Sequence, residues 1–128
     1  MARMIQFSLG LLLGIFLGTQ QVSAEVRLMM VEQDGCPWCE RWKSEIGPIY
    51  PKTAEGRIAP LIKVMIHDPL EKGITLASPP VYTPTFILLN NGQEVGRIEG
   101  YQSDEFFWWF METMIKKLPD DLQKDPGA

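Results

Sequence analysis

"EQDGCPWCERW", residues 32–42, holds both cysteines of the 128-residue chain, Cys36 and Cys39, with Pro37 and Trp38 between them. The residues leading into it, "VRLMMVEQ" (26–33), are mostly apolar and stop at Asp34-Gly35. That is the pattern of a short buried strand ended by a turn. From Cys36 onward, "CPWCERWKSEIGPIY" predicts a helix, with Pro37 in its first turn and Gly47-Pro48 to end or kink it. A first-turn proline costs nothing because its missing N–H would have had no partner. The cysteines therefore sit where a strand gives way to a helix. A bridge closing so short a loop restrains the unfolded chain less than one across a long loop, so the pair is poorly placed as a structural staple.

The position suits thiol chemistry better. At a helix N-terminus, orphan backbone N–H groups and the positive end of the dipole favour a thiolate, the nucleophile in thiol–disulfide exchange. Cys39, one turn on and on the same side, can attack a mixed disulfide formed at Cys36. Cys36 is expected to be the more exposed and Cys39 to be shielded by the helix. Other uses of this spacing fit less well. Haem attachment needs His after the second cysteine, where this chain has Glu40. A structural zinc site needs four ligands, and two Cys with one His fall short. No metal and no cofactor are expected. An inert structural disulfide is the plainest alternative.

Beyond the helix, "APLIKVMIH" (59–67) reads as a second strand. "DPLEKGITLASPPVYTP" (68–84) is rich in Pro and Gly and predicts a long connection with at most a short helical turn. "TFILLN" (85–90) and "QEVGRIEG" (93–100) flank Asn91-Gly92, a hairpin signal. A last helix is expected from Ser103, with acidic residues in its first turn and Lys116 and Lys117 in its last. Phe107, Phe110, Met111, Met114 and Leu118 mark its buried face, while Trp109 falls opposite with Glu105, Glu112 and Lys116. Pro119 stops it, and 119–128 is expected to be a flexible tail. The sum is an α/β domain over 25–118. Its four-stranded mixed sheet is built from a βαβ unit, a β-hairpin and a C-terminal helix, with helices able to cover both faces.

The N-terminal 24 residues differ in character. Arg3 precedes an apolar run from Phe7 to Leu17, and a polar stretch ends in "VSA" before Glu25. This is the build of a cleaved secretory signal peptide, the alternative being a retained anchor. The run is shorter than the roughly 20 apolar residues of a membrane span. Cleavage would remove only Arg3 from the charged set, leaving 11 basic against 16 acidic residues. That acidity argues against nucleic-acid binding, which needs a basic face. Export places the cysteines in an oxidising compartment, where they can pair.

"GCPWC" with Trp42 after it, "TPTF" at 83–86, and the hairpin running into "GRIEGY" resemble the thioredoxin superfamily. "EQDGCPWCERWKSEIGPIYPKTAEGRIAPL" and "EGYQSDEFFWWF" are most similar to the small SoxS-type thioredoxins of bacterial sulfur-oxidation gene clusters. The resemblance implies a thioredoxin-like fold and a periplasmic thiol–disulfide oxidoreductase in which Cys36 and Cys39 are catalytic. Pro37, Trp38, Thr83 and Pro84 would meet the substrate, Pro84 as a cis proline facing the dithiol and Thr83 pairing its backbone with the substrate chain. It further implies a reductant acting on protein disulfides, fed by a membrane thiol donor and serving a Sox sulfur-carrier protein, and a monomer is expected. A redox-switched binding or regulatory module, or a disulfide-introducing oxidase or isomerase, are the alternatives. Three departures stand out. Pro37-Trp38 replaces the Gly-Pro of many thioredoxins and lacks the His common in strong oxidases. Met30 stands where thioredoxins bury an acid, so protons at Cys39 need another route, such as water or Glu32. Glu32, Asp34 and Glu40 otherwise read as a solvated rim.

Overall fold

The structure, a computed structural model, describes residues 25–128. The expected signal segment lies outside the described residues. Strand β1 (Val26–Glu32) lies inside the sheet, parallel to β2 (Leu61–Met65) on one side and antiparallel to β3 (Thr85–Asn90) on the other. β4 (Gln93–Glu99) pairs antiparallel outside β3, giving the order β2-β1-β3-β4. The parallel pair needs a crossover, and helix α1 (Pro37–Glu45) begins it. A second helix, α2 (Ala54–Ile58), and a 3-10 turn over Tyr50–Lys52 complete the crossover; neither was expected from sequence. Thr53 caps α2 by accepting the Gly56 N–H at 3.0 Å, and the buried Tyr50 hydroxyl donates to Ala59 O at 2.6 Å. Such short elements carry no apolar periodicity to reveal them.

The hairpin turns on Asn91 (φ 51°) and Gly92 (φ 79°), the two positive φ values that a primed two-residue turn requires. Along the strands, side chains alternate between faces. Leu28, Met30, Phe86, Leu88 and Ile98 face the helices and join Trp42, Tyr50, Phe107, Met111 and Met114 in the main core. Trp42 is its hub, with ring centroids 5.0 Å from Phe86, 5.6 Å from Phe107 and 6.1 Å from Tyr50. Met29, Val31, Ile87 and Leu89 point the other way.

That second face has no helix. Ile62 and Val64 of β2 extend it, and apolar residues of the connection after β2, Ile66, Ile74 and Leu76, cover it. The expectation of helices on both faces is thus corrected: all three lie on one. The connection is too rich in Pro and Gly to form a helix, yet it carries enough aliphatic side chains to seal the sheet. Thr75 extends the sheet locally by bridging to Gln93, with its N–H donating to Gly92 O at 2.8 Å.

Helix α3 (Asp104–Ile115) is capped by Ser103, whose hydroxyl accepts the Phe106 N–H at 3.4 Å. Phe107, Met111, Met114, Ile115 and Leu118 are buried, while Phe110, expected in the core, is exposed. The buried stripe runs through 107, 111, 114 and 118, and Phe110 lies past its edge. The residues after α3 turn back onto the domain. A 3-10 turn over Asp120–Leu122 follows Pro119, the Gln123 amide donates to Leu118 O at 2.7 Å, and Leu122 packs on the core. Asp125 receives two hydrogen bonds from Arg57, at 2.8 and 2.6 Å. The anchor for that pair sits on α2, the helix the sequence does not announce.

Candidate active site

Cys36 is the N-cap of α1, with extended backbone (φ −89°, ψ 102°), and Pro37 follows as the first helical residue. The turn brings the two Cα atoms to 5.3 Å, and the sulfurs are joined as a disulfide. A Cα separation in this range needs no backbone movement to close or open the bond. Cys36 Sγ accepts the backbone N–H of Cys39 at 3.1 Å. The sulfur thus takes the place a Ser or Asp oxygen takes at an ordinary N-cap, where negative charge is stabilised by the free N–H groups and the dipole.

Access to the sulfurs is narrow. Cys36 is 5% exposed and Cys39 1%. Trp38, between the two cysteines, is 51% exposed, and Val81 and Tyr82, just ahead of the Thr83–Pro84 peptide, are 70% and 60% exposed. Trp38 is steadied by Arg41, whose guanidinium lies 5.6 Å from its ring and 5.9 Å from that of Tyr101. Arg41 is held in turn by Glu45 at 2.8 Å, and Glu45 also accepts from the Tyr101 hydroxyl at 2.5 Å. Burial, followed by that hydrogen bond, pushes the Tyr101 phenol up from its ordinary range. Tyr101, 5% exposed, thus braces Trp38 from beneath through Arg41 and Glu45.

Thr83 and Pro84 lie at the end of the long connection, where β3 begins, and the peptide bond between them is cis. Pro84 is buried and Thr83 half-buried. The Pro84 carbonyl accepts the Gly100 N–H at 2.7 Å, and the Thr85 hydroxyl closes back on Tyr82 O at 2.6 Å. Glu32, read as solvated rim, is buried and pairs with Lys43 at 2.5 Å. That bond, ahead of the one from Glu40, raises the Lys43 pKa against the cost of burial. Lys43 follows Cys39 by four residues, on the same side of α1. Met30 is buried in the core, where it offers no proton. His67 is exposed. Among the described residues, no group of three or more His, Cys, Asp or Glu is arranged to hold a metal.

One pair of residues that sequence reasoning missed holds the connection in place. Glu94 and Arg97 are linked at 2.6 Å with side chains only 6% and 14% exposed. Glu94 Oε2 accepts the Ala77 N–H at 2.7 Å, and Arg97 Nη2 donates to Ser78 O at 2.7 Å. Residues three apart in a regular strand face opposite ways. Here a register shift between Leu88 and Leu89, opposite Gly96 and Glu94, turns the two side chains to one side. The clamp fixes the connection five to seven residues ahead of Thr83 and Pro84.

A crystal structure of the periplasmic thioredoxin SoxS from Paracoccus pantotrophus, in its reduced form, is similar to this chain. Identity is 47%, the TM-score is 0.72, and the match covers 73% of this chain and 98% of that one. The chain belongs to the thioredoxin superfamily, among its SoxS-type members. The four-stranded mixed sheet with its helices is the thioredoxin fold, and the chain is a thiol–disulfide oxidoreductase. No protein-family model and no curated protein matches it. For a SoxS-type thioredoxin, the Cys36 N-cap is the feature with chemical consequence. It aims a backbone donor at one sulfur and leaves the other one turn deeper.

Proposed function

We propose that this SoxS-type thioredoxin is a periplasmic reductase of disulfides on protein partners of a sulfur-oxidation system, with Cys36 as nucleophile and Cys39 as resolving thiol. The observation that carries the assignment is the Cys39 N–H on Cys36 Sγ at 3.1 Å at the start of α1. In the reduced protein the Cys36 thiolate attacks a partner disulfide. A bond forms between Cys36 Sγ and one partner sulfur, and the other leaves as a thiolate. Cys39 then attacks Cys36 Sγ, the Cys36–Cys39 bond forms, and the partner departs with both its thiols. Two electrons pass to the partner, and a thiol donor must return them, which suits a membrane-bound dithiol carrier. Trp38, Pro37, Thr83 and Pro84 form the surface against which the partner chain lies, and the expected export signal over 1–24 supports the compartment.

Replacing Cys39 by Ser tests the roles. It should leave partners trapped on Cys36 as mixed disulfides, while Cys36→Ser should trap none. In the reduced wild type, iodoacetamide should label Cys36 ahead of Cys39. Labelling of Cys39 first, or partner binding without a covalent adduct, would overturn the assignment and favour a binding module. A reduction potential near −270 mV agrees with a reductant, whereas one near −120 mV would identify an oxidant. Mature protein recovered from periplasm should begin at Glu25.

A further inference from the structure

Helix α3 buries one side in the core and leaves on the other a patch that nothing in the fold uses. Phe106 is 53% exposed, Trp109 58% and Phe110 37%, with the rings of Trp109 and Phe110 packed edge to face at 4.8 Å. Fully buried aromatics cover about 150–250 Å² each, so these three leave roughly 300 Å² of apolar surface on one helix face. The ends of the patch differ in net charge. Asp104 and Glu105 are exposed at its N-terminal end, while at its C-terminal end Lys116 and Lys117 outnumber Glu112, which accepts from Lys116 at 2.8 Å.

This arrangement is complementary to itself. Two copies of α3 laid antiparallel bring the acidic end of each against the basic end of the other, with the aromatics meeting in the middle. Phe106 then faces the region of Thr113, Trp109 faces Phe110, and Glu105 falls within a side chain's reach of Lys116. A parallel arrangement would instead set like charges together. Antiparallel pairing about a two-fold axis is also the closed, isologous form, in which each contact occurs twice. We propose that the exposed face of α3 is a self-association surface, through which two copies pair antiparallel about an axis beside Trp109 and Phe110.

The size of the patch sets the strength. Two copies bury roughly 600 Å² of apolar surface plus a charged rim, below the approximately 1,200–2,000 Å² of stable complexes. The dimer is therefore weak, forming at tens to hundreds of micromolar, and the expected monomer holds in dilute solution. Trp109 is at the centre, where truncation costs most, and the charge pairs set orientation more than affinity.

Sedimentation equilibrium of the oxidised protein from about 2 to 500 µM should show the mass rising from one copy toward two. Trp109→Glu should weaken association by more than roughly a hundredfold, leaving one copy throughout. Glu105→Lys and Lys116→Glu should each weaken it about tenfold, and the double variant should recover part of that loss, because the charges are exchanged across the pair while Glu112 loses Lys116. Far-UV circular dichroism establishes that each variant is folded. Because Trp109 lies outside the dithiol site, exchange with a small disulfide should be unchanged in Trp109→Glu. A wild type that stays one copy at 500 µM would overturn the proposal, as would a Trp109→Glu protein that still pairs. A double variant no better than the single ones would overturn the antiparallel arrangement.

Discussion

Removing Glu94 should uncouple partner recognition from dithiol chemistry. In Glu94→Ala, Arg97 loses its bond at 2.6 Å and keeps only Glu99, at 3.9 Å, as a neighbouring carboxylate. Ala77 loses the acceptor of its N–H. Breaking a fully buried ion pair costs about 3–5 kcal/mol because it strands a charge. Arg97 is 14% exposed and Ala77 lies at the surface, so water recovers part of this and about 2–3 kcal/mol is expected. With a urea slope of about 1–3 kcal/mol/M, the midpoint should fall by roughly 1–2 M. The pH dependence has a definite sign. Arg97, as hydrogen-bond donor, lowers the Glu94 pKa below its ordinary 4.5, so the clamp's contribution is present above pH 4.5 and fades as pH falls through the lower folded value. The stability gap between wild type and variant should accordingly close on acidification below pH 4.5. Functionally, the loosened connection carries Val81, Tyr82 and Thr83, while Cys36 stays on α1. On the folded fraction, reduction of a protein disulfide should slow several-fold, and reduction of a small disulfide should not change. A midpoint within 0.2 M of wild type would refute the clamp. Equal slowing of both substrates would refute its assignment to partner recognition.

Trp42→Ala should cost about 3–5 kcal/mol, a large part of the roughly 5–15 kcal/mol available to a domain of this size, because it empties the centre of the aromatic core; urea unfolding followed by circular dichroism measures it. Trp42→Phe should cost far less, since it keeps a ring between Phe86 and Phe107 and removes a buried indole N–H that has no hydrogen-bond partner among the described residues. Gly92→Ala should destabilise by about 1–3 kcal/mol in the same assay, because φ is +79° and an added Cβ would lie 2.0 Å from Gly73 O. The Arg57 hydrogen bonds hold Asp125 at a pKa of about 2, below its ordinary 3.8, so the C-terminal segment should stay docked above pH 3.8 and release as pH falls toward 2. Amide exchange at Gly127 and Ala128 reports that release, and Asp125→Asn should bring it to neutral pH.

The first three strands were legible as short apolar runs closed by Gly, Pro or Asn, and β4 from the Asn91-Gly92 turn that precedes it; their observed ranges fall within those the sequence predicts. The dithiol was legible for a different reason: only two cysteines exist, and the proline between them marks a helix start. What stayed hidden depends on tertiary placement. Glu32 lies at the end of a strand among other carboxylates, and nothing local says that Lys43 will reach it. Glu94 and Arg97 meet only because a register irregularity turns one of them over. Five aromatics in a row on α3 overfill any core face, so the pattern alone could not decide that Phe110 stays out while Ile115 goes in. The docked tail depends on Arg57, in a helix too short to show a period.

The contrast between the buried sulfurs and the exposed apolar residues around them constrains how such a protein selects partners. On the proposed roles, Cys36, only 5% exposed, meets a disulfide only if the disulfide is carried down to it. On the proposed assignment, a small disulfide needs only to reach Cys36, whereas a protein disulfide must also fit its flanking chain against exposed apolar residues such as Trp38, Val81 and Tyr82. Selection therefore lies in the surface and not in the sulfur chemistry, which the N-cap geometry makes favourable for any disulfide that arrives. The two halves of that surface are built differently. Trp38 is on a helix braced through Arg41, Glu45 and Tyr101, whereas Val81, Tyr82 and Thr83 belong to a connection tied down by one ion pair and a few backbone bonds. The dithiol side is fixed by the core, and the connection side is the one whose sequence can change without disturbing α1. Substitutions that redirect such a protein toward different partners should fall in residues 77–83 more readily than in 36–45.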